Sequence, residues 1–171
     1  HLAAGLFEQH DRARIETLAY AADHEDDSAV RRRLRAAFGH WRDVRALSDA
    51  DAARRIADDA LDVLVDLKGH THGARIEILA RRPAPVQIHY LGFPGTLAYG
   101  AIDGLVADHI VAPPGSEAEF GEPLLRLPVC YQVNDSRRAL PAPVVRETIG
   151  LPARALVLAS FNQTYKLAEP F

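Results

Sequence analysis

Hydrophobic and polar positions alternate with two different periods along the chain, which predicts helices and strands that follow one another. Apolar residues recur at helical spacing in residues 28–38 behind Ser28, and Ser48 caps a second such pattern. A β-branched run at residues 61–67 is typical of a strand buried on both faces of a parallel sheet. Further helices are predicted in residues 1–11, 48–62 and 73–82, and further strands in residues 15–21, 86–93, 103–112 and 155–162. The alternation favours an α/β fold, a three-layer sandwich with a mostly parallel sheet.

Proline and glycine punctuate this pattern at two places and suggest where a domain ends. Their density rises in residues 113–123 and again in residues 141–152. The second stretch leads into an apolar segment that reads as the first strand of a new domain. We therefore expect one domain over residues 1–152 and the start of a second over residues 153–171.

Composition limits the classes of function. The chain has 171 residues, of which 48% are hydrophobic and 25% charged, as in ordinary globular proteins. A net charge of -3 argues against nucleic acid as a partner, and the sequence lacks the roughly 20-residue apolar run of a membrane span. Cys130 is the single cysteine, which fits a reducing, cytoplasmic location, as does an N-terminus without a signal peptide. Because the chain begins at His1 and contains no methionine, we expect a longer parent.

Three predicted strands end in turns that carry polar groups and glycines. One strand leads to Gly69, one to Gly92, and one to residues 162–166. Ligands of open parallel sheets bind at the carboxyl ends of the strands, so a site is expected there.

The histidines after residue 67 raise the question of a metal. His70 and His72 have the spacing of two metal ligands, and His89 or His109 beside Asp108 could complete a set. Loop histidines satisfied by hydrogen bonds or water are the favoured alternative.

The segment "LGFPGT" allows a phosphate site or a plain turn. Gly92 and Gly95 permit close backbone approach and Pro94 stiffens the turn, but the lysine-serine pair of a Walker A loop is absent. Lys166 follows a predicted strand end, where an ammonium could neutralise a leaving diphosphate or simply face solvent.

Three sequence blocks together resemble a known family. They are "DLKGHTHGAR", "RPAPVQIHYLGFPGT" and, some sixty-five residues later, "FNQTYK". Their order and spacing closely resemble the catalytic region of the O-linked N-acetylglucosamine transferases, a family that includes the SPINDLY-type O-fucosyltransferases. The resemblance implies the N-terminal Rossmann-like lobe of a GT-B fold, a nucleotide sugar between two lobes, tetratricopeptide (TPR) repeats ahead of them, and no metal or other cofactor.

The resemblance also implies roles for individual residues. Lys166 matches the lysine that stabilises the departing diphosphate, and Tyr165 matches a tyrosine near the reaction centre. The remaining matches are substrate-binding positions: His70, Thr71, Leu91, Gly92, Pro94, Gly95, Thr96 and Gln163. Most relatives have an aromatic residue at the position of His70.

The resemblance places two parts of the family's catalytic region outside this chain, which limits what the chain does alone. The resemblance implies that a family histidine considered as catalytic base, and the strand before it, precede His1. Nearly all of the second lobe would follow Phe171. We therefore expect the parent to transfer GlcNAc from UDP-GlcNAc to Ser/Thr of proteins, while the isolated chain is inactive. The alternative is a non-catalytic binding module with the same lobe fold, and the blocks leave open which sugar is transferred.

Overall fold

The computed structural model describes residues 2–24 and 26–161 and divides the chain into two compact units, His1–Arg137 and Arg138–Phe171. The described helices of the first unit are α1 (Ala4–Glu8), α2 (Ala29–Ala37), α3 (Asp49–Asp58) and α4 (Ile76–Ala80), with a 3-10 helix at Glu117–Glu119. Its strands are β1 (Leu18–Ala21), β2 (His40–Asp43), β3 (Val63–Asp66), β4 (Val86–His89), β5 (Gly104–Ala107) and β6 (Leu124–Arg126). The second unit contains a 3-10 helix at Arg146–Ile149.

The two predicted N-caps are confirmed. Ser28 Oγ accepts a hydrogen bond from the Arg31 amide at 3.2 Å at the start of α2. Ser48 Oγ accepts one from the Asp51 amide at 3.1 Å at the start of α3. Each cap satisfies a backbone donor that the first helical turn leaves unpaired.

The strands form parallel sheets, which confirms the α/β fold class. β1 pairs with β2, and β3, β4, β5 and β6 pair in that order, all parallel. Parallel neighbours need crossover connections. α2 lies in the connection from β1 to β2 and α4 in that from β3 to β4, the 3-10 helix lies between β5 and β6, and the described connection from β4 to β5 contains no helix.

Helices cover both faces of the β1–β2 pair. Tyr20 and Arg42, which are partners in register, both bind the carboxylate of Asp59 at the end of α3. Trp41, which precedes Arg42 in β2, points the other way and packs edge-on against Phe38 at the end of α2. Since neighbouring strand residues face opposite sides, α2 and α3 lie on opposite faces, and the predicted three layers are confirmed here.

β1 and β3 end on the same side of the molecule with an apolar cavity between them. Asp23, just after β1, forms an ion pair with Lys68, just after β3, with 2.9 Å between Oδ1 and Nζ. The cavity has a volume of about 650 Å³, and residues of both strands line it, including Leu18 and Val65. Among the described residues, each of these strands is hydrogen-bonded to a neighbouring strand along one edge.

The four-stranded sheet has one covered and one open face. Leu79 of α4 packs with Leu97 and Ile102 on the covered face. The open face carries apolar side chains that are between 37% and 49% exposed: Val63, Val65, Val86 and Leu125, with Leu67 just beyond β3. The prediction that residues 61–67 are buried on both faces is therefore wrong, because no described element covers the second face.

Several predicted boundaries also differ from the structure. The strands at His40–Asp43 and Leu124–Arg126 are absent from the sequence predictions, since each is short and carries polar residues. The helix predicted at residues 73–82 is only Ile76–Ala80, followed by Arg82 at a φ of 47° before Pro83.

The last predicted strand, residues 155–162, is not a strand in its described part, residues 155–161. Leu156 is 88% exposed and Phe161 fully exposed, so an apolar run alone does not form a strand without a partner strand. Cys130 is an exposed free thiol. Among the described helices, none has the length and apolar character needed to cross a membrane.

Candidate functional site at the carboxyl ends of β3 and β4

The turns after β3 and β4 lie side by side, as the sequence predicts. The two strands are parallel, with Asp66 opposite His89 in register. The His70 ring packs edge-on against Phe93 with 5.5 Å between ring centroids, and its Nε2 lies 3.2 Å from the Leu97 carbonyl oxygen. The shared neighbourhood predicted for His70, Thr71 and residues 92–96 is confirmed, while their contacts with substrate stay a prediction.

Two glycines allow the turns to touch. A β-carbon built on Gly92 would lie 2.2 Å from the carbonyl oxygen of Leu67. One built on Gly69, whose φ is +56°, would lie 2.5 Å from His89 Cε1. Any larger residue at either position would push the turns apart.

Leu91 holds a strained conformation beside this contact. Its φ is 76°, in the left-handed region that non-glycine residues rarely adopt. Such strain costs on the order of 1–3 kcal/mol and is concentrated in proteins at ligand sites. The strain turns the chain sharply out of β4, so that Phe93 and Pro94 follow directly over the β3 turn.

A hydrogen-bonded histidine–aspartate pair beneath the turns joins their two strands. His89 Nδ1 lies 3.0 Å from Asp66 Oδ2, and His89 Nε2 lies 2.6 Å from the Phe93 carbonyl oxygen. The Asp66 carboxylate also accepts the amides of Lys68 and Gly69 at 3.2 and 2.7 Å. Burial by itself raises the pKa of Asp66, but the hydrogen bonds from these three residues outweigh it and hold that pKa below its usual value.

Thr96 is anchored at the far end of the turn. Its hydroxyl donates to Glu122 Oε2 at 2.7 Å and accepts the amides of Ala98 and Gly121 at 3.0 and 3.1 Å. Glu122 is 5% exposed and also accepts the Leu97 amide at 3.0 Å. The Thr96 hydroxyl is thus used within the protein, which fixes where the turn ends.

The remaining predicted residues differ in their surroundings. Thr71 is exposed and its hydroxyl donates to the Lys68 carbonyl at 3.0 Å. Pro94 is exposed and Gly95 half-buried, next to the Phe93 ring. Gln163, Tyr165 and Lys166 lie outside the described residues.

The sequence pattern predicts no role for Asp66, which ends β3, or for Glu122, which lies just before β6. Neither belongs to a motif of alternating or clustered charge. Asp108 enters the sequence predictions only as part of a metal set. Asp108, after β5, accepts the amides of Ile110, Val111 and Tyr131, and the Val111 bond is the largest cause that lowers its pKa. For Asp66 and Asp108, the position of an acidic residue at the end of a strand could have indicated this role, because its carboxylate can bind the amides of the following turn.

The metal interpretation gains no support from the described residues. No group of three or more His, Cys, Asp or Glu side chains in residues 2–24 and 26–161 is arranged to hold a metal ion. His89 binds Asp66 and the Phe93 carbonyl, and Asp108 binds backbone amides.

Comparisons with known proteins place the chain in a family. The family described as glycosyl transferase family 41 matches residues 1–149. A probable UDP-N-acetylglucosamine–peptide N-acetylglucosaminyltransferase SEC of Arabidopsis thaliana is 38% identical over 98% of this chain and 18% of its own length. A UDP-N-acetylglucosamine–peptide N-acetylglucosaminyltransferase of Caenorhabditis elegans is 33% identical over 82% of this chain and 12% of its own.

A solved structure gives the same result at the level of the fold. A mutant O-GlcNAc transferase of Thermobaculum terrenum superposes with a TM-score of 0.73 and 40% identity, over 77% of this chain and 25% of that one. The chain thus spans less than a fifth of the length of these two curated relatives. The match over residues 1–149, the identities and the shared fold together show that the chain belongs to glycosyl transferase family 41.

Proposed function

We propose that the chain is part of a nucleotide-sugar-dependent protein O-glycosyltransferase. The parent protein transfers GlcNAc from UDP-GlcNAc to Ser or Thr hydroxyls of acceptor proteins. The observation that carries the proposal is the close contact of the turns after β3 and β4, which depends on Gly69 and Gly92. The names of the family 41 relatives, which state UDP-N-acetylglucosamine and peptide, support the choice of donor and acceptor.

In this proposal the two turns form one wall of the substrate cleft. Exposed His70, Thr71 and Pro94 face the acceptor side, and Leu91, Gly92 and Gly95 bring backbone close to the transferred sugar. Thr96 contributes mainly by anchoring the turn to Glu122. A wall built largely from backbone suits sugar hydroxyls, which both donate and accept hydrogen bonds.

The donor diphosphate is assigned to residues outside the described part of the chain. Gln163 contacts the UDP moiety, Tyr165 lies near the reaction centre, and Lys166 neutralises the charge that develops on the departing diphosphate. A fixed ammonium in that position replaces the metal ion that other phosphate-releasing enzymes use, so no cofactor is needed.

The proposed architecture is one lobe over residues 1–152 and the start of a second over residues 153–171. A further strand between β1 and β3 would join the two sheets. The apolar cavity there, and the ion pair that shows both strands ending on the same side, support this. The proposal also includes TPR repeats in the parent chain and a cytoplasmic location, which the single unpaired cysteine favours. The parent's sequence tests for the repeats, whose period is about 34 residues.

The test uses the full-length parent with UDP-GlcNAc and GDP-fucose offered in parallel to Ser/Thr peptides. We expect labelled GlcNAc on the peptide, and about a hundredfold less with Lys166→Ala at the same protein concentration. Fucose transfer would keep the enzyme class but replace the donor. If the parent binds peptide or nucleotide but transfers no sugar, the proposal is wrong and the alternative, a non-catalytic binding module, is favoured.

A further inference from the structure

A buried histidine joins the two substrate-facing turns. His89 ends β4, and its side chain is 0% exposed. One ring nitrogen faces Asp66 Oδ2 at 3.0 Å, and the other faces the Phe93 carbonyl oxygen at 2.6 Å. The ring therefore connects the end of β3 to the middle of the turn that follows β4.

Both partners of this ring are hydrogen-bond acceptors. A backbone carbonyl cannot donate, so His89 Nε2 must carry a proton. Asp66 already accepts the Gly69 amide on the same oxygen that faces His89, and the Lys68 amide on the other, which favours its ionised form. His89 Nδ1 must then donate as well, and a ring that donates from both nitrogens is an imidazolium.

We propose that His89 is a positively charged positioning residue that orders the Phe93–Thr96 turn for substrate, and that the turn loosens when His89 loses its proton. The inference rests on the proposed role of this turn in the transfer reaction. A neutral ring keeps one donor, so deprotonation removes the His89 hydrogen bond from either the Phe93 carbonyl or the Asp66 carboxylate. The Phe93 carbonyl then keeps only the Gly95 amide, or Asp66 keeps only the Lys68 and Gly69 amides. Losing a hydrogen bond to a charged group is costly, and the turn after β4 is the part that can move in response.

The groups around the ring agree with a stable positive charge. Asp66 is the carboxylate that faces it from β3, while the Lys68 ammonium points to Asp23 instead. From β5 its partner in register is the apolar Leu105, and the Asp108 carboxylate beyond it binds backbone amides.

Within the turns, the remaining titratable neighbours point away from the His89 ring. The exposed His70 bonds the Leu97 carbonyl, and the Tyr90 hydroxyl bonds the Tyr131 carbonyl. Burial by itself lowers the pKa of His89, but Asp66 and the Phe93 carbonyl outweigh burial and raise it above its usual value.

The first test needs no mutation. In the 171-residue chain labelled with ¹⁵N, NMR of the His89 ring nitrogens reports their protonation while amide exchange reports the turn. We expect both nitrogens to be protonated at about pH 7, above the ordinary histidine pKa of about 6.5. Protection of the Gly95 and Leu97 amides should fall in step with the His89 titration. A neutral His89 ring at about pH 6.5 would overturn the inference. So would amide protection that does not change as His89 titrates.

Two variants and a control distinguish loosening of the turn by loss of the His89 proton from general destabilisation of the chain. Asp66→Asn keeps an acceptor for the Gly69 amide but removes the charge, so the His89 pKa should fall and the turn should loosen already at neutral pH. His89→Gln can donate to Phe93 but carries no charge, so the pH dependence of turn protection should vanish. His109→Gln, at an exposed histidine after β5, should keep the wild-type profile. A His89→Gln chain that retains the pH dependence would refute the role of His89.

Activity in the full-length parent distinguishes this inference from the proposed function. We expect kcat/KM of the wild type to fall as His89 deprotonates, and the His89→Gln variant to show that step no longer. Transfer by a protein whose His89 is neutral would reject the inference and keep the function. A protonated His89 that orders the turn in a protein without transferase activity would reject the function and keep the conformational device.

Discussion

Gly92 shows how one residue without a side chain sets the distance between two loops. Its backbone passes so close to the Leu67 carbonyl that a β-carbon would lie at 2.2 Å, well inside van der Waals contact. The obstacle is backbone, which cannot rotate away as a side chain can. The separation of the β3 and β4 turns therefore depends on this position.

Gly92→Ala should destabilise the chain by about 1–3 kcal/mol, the usual cost of forcing extra volume into a packed site. Gly100→Ala is the matched control, since nothing lies within 4 Å of a β-carbon there. Urea unfolding followed by the fluorescence of Trp41, the single tryptophan, measures both. Equal midpoints for the two variants would mean that the turns separate without cost.

The Asp66–His89 pair should give the first unit a bell-shaped dependence of stability on pH. The folded-state pKa of Asp66 is lowered, so its contribution is present above about 3.9 and lost as pH falls through the folded pKa. The folded-state pKa of His89 is raised, so its contribution is present below about 6.5 and lost as pH rises through the folded pKa.

Asp66→Asn should therefore cost most between about pH 4 and pH 6.5, by roughly 1.5–3 kcal/mol, the range for hydrogen bonds to charged groups. Urea unfolding of wild type and variant across pH measures this difference. Asp62→Asn, at an exposed carboxylate before β3, is the control and should show a nearly constant difference. A constant difference for Asp66→Asn as well would show that the pair does not ionise as described.

Lys166→Ala in the full-length parent should reduce kcat more than it raises KM. A lysine that faces the leaving diphosphate meets more negative charge in the transition state than in the ground state. The loss should be about a hundredfold, or about 3 kcal/mol, as for oxyanion-type donors. Arg should rescue only partly, because its charge is spread over a planar fork. A raised KM with unchanged kcat would limit the lysine to binding the donor.

At the scale of elements, short helices depend on their first turn. α3 begins at Ser48, whose hydroxyl bonds both the amide and the carboxylate of Asp51. The same helix supplies Ala52 and Ile56 to the cluster that packs beneath β3. A weaker start to α3 therefore affects the support of the strand that leads to the site.

Ser48→Ala should cost about 1 kcal/mol, the typical value of an N-cap. Ser136→Ala, at an exposed position outside the helices, should change stability by less than about 0.5 kcal/mol. Thermal unfolding of both variants at one protein concentration provides the comparison. A Ser48→Ala chain as stable as the control would show that α3 is held by its packing alone.

At the scale of the whole molecule, the open sheet edges determine what the chain needs to be stable. Val63 and Val65 are 49% and 45% exposed beside the cavity between β1 and β3. Exposed apolar strands of this kind promote association with other chains. Within the proposed architecture, the further strand between β1 and β3 would fill the cavity and pair with the open backbone edge of each strand.

A longer chain that includes the parent's preceding segment should therefore melt at a higher temperature and protect the amides of β1 and β3 from exchange. Each kcal/mol gained should raise the melting temperature by roughly 2–4 °C at this size. An extension of equal length on the C-terminal side is the control. Unchanged protection in β1 and β3 would reject the additional strand.

The amino-acid sequence was enough to predict the α/β class, the two serine caps and the neighbourhood of the glycine turns. These features depend on local chemistry: hydrophobic period, a hydroxyl before a helix, and glycines directly after apolar strands. Parallel pairing then brings His70 and Phe93 together without further information. The similarity to family 41, visible in three short blocks, was also present in the sequence.

Contacts between distant parts of the chain determine which polar groups hold the site and which strands pair. Asp66 meets His89 across 23 residues of chain, and Thr96 meets Glu122 across 26, separations that no local pattern records. The apolar residues 155–161 form no strand, whereas the polar residues His40–Asp43 do. The difference is that His40–Asp43 are hydrogen-bonded to a neighbouring strand, β1. Hydrophobic pattern reports local preference, but pairing and burial are properties of the assembled fold.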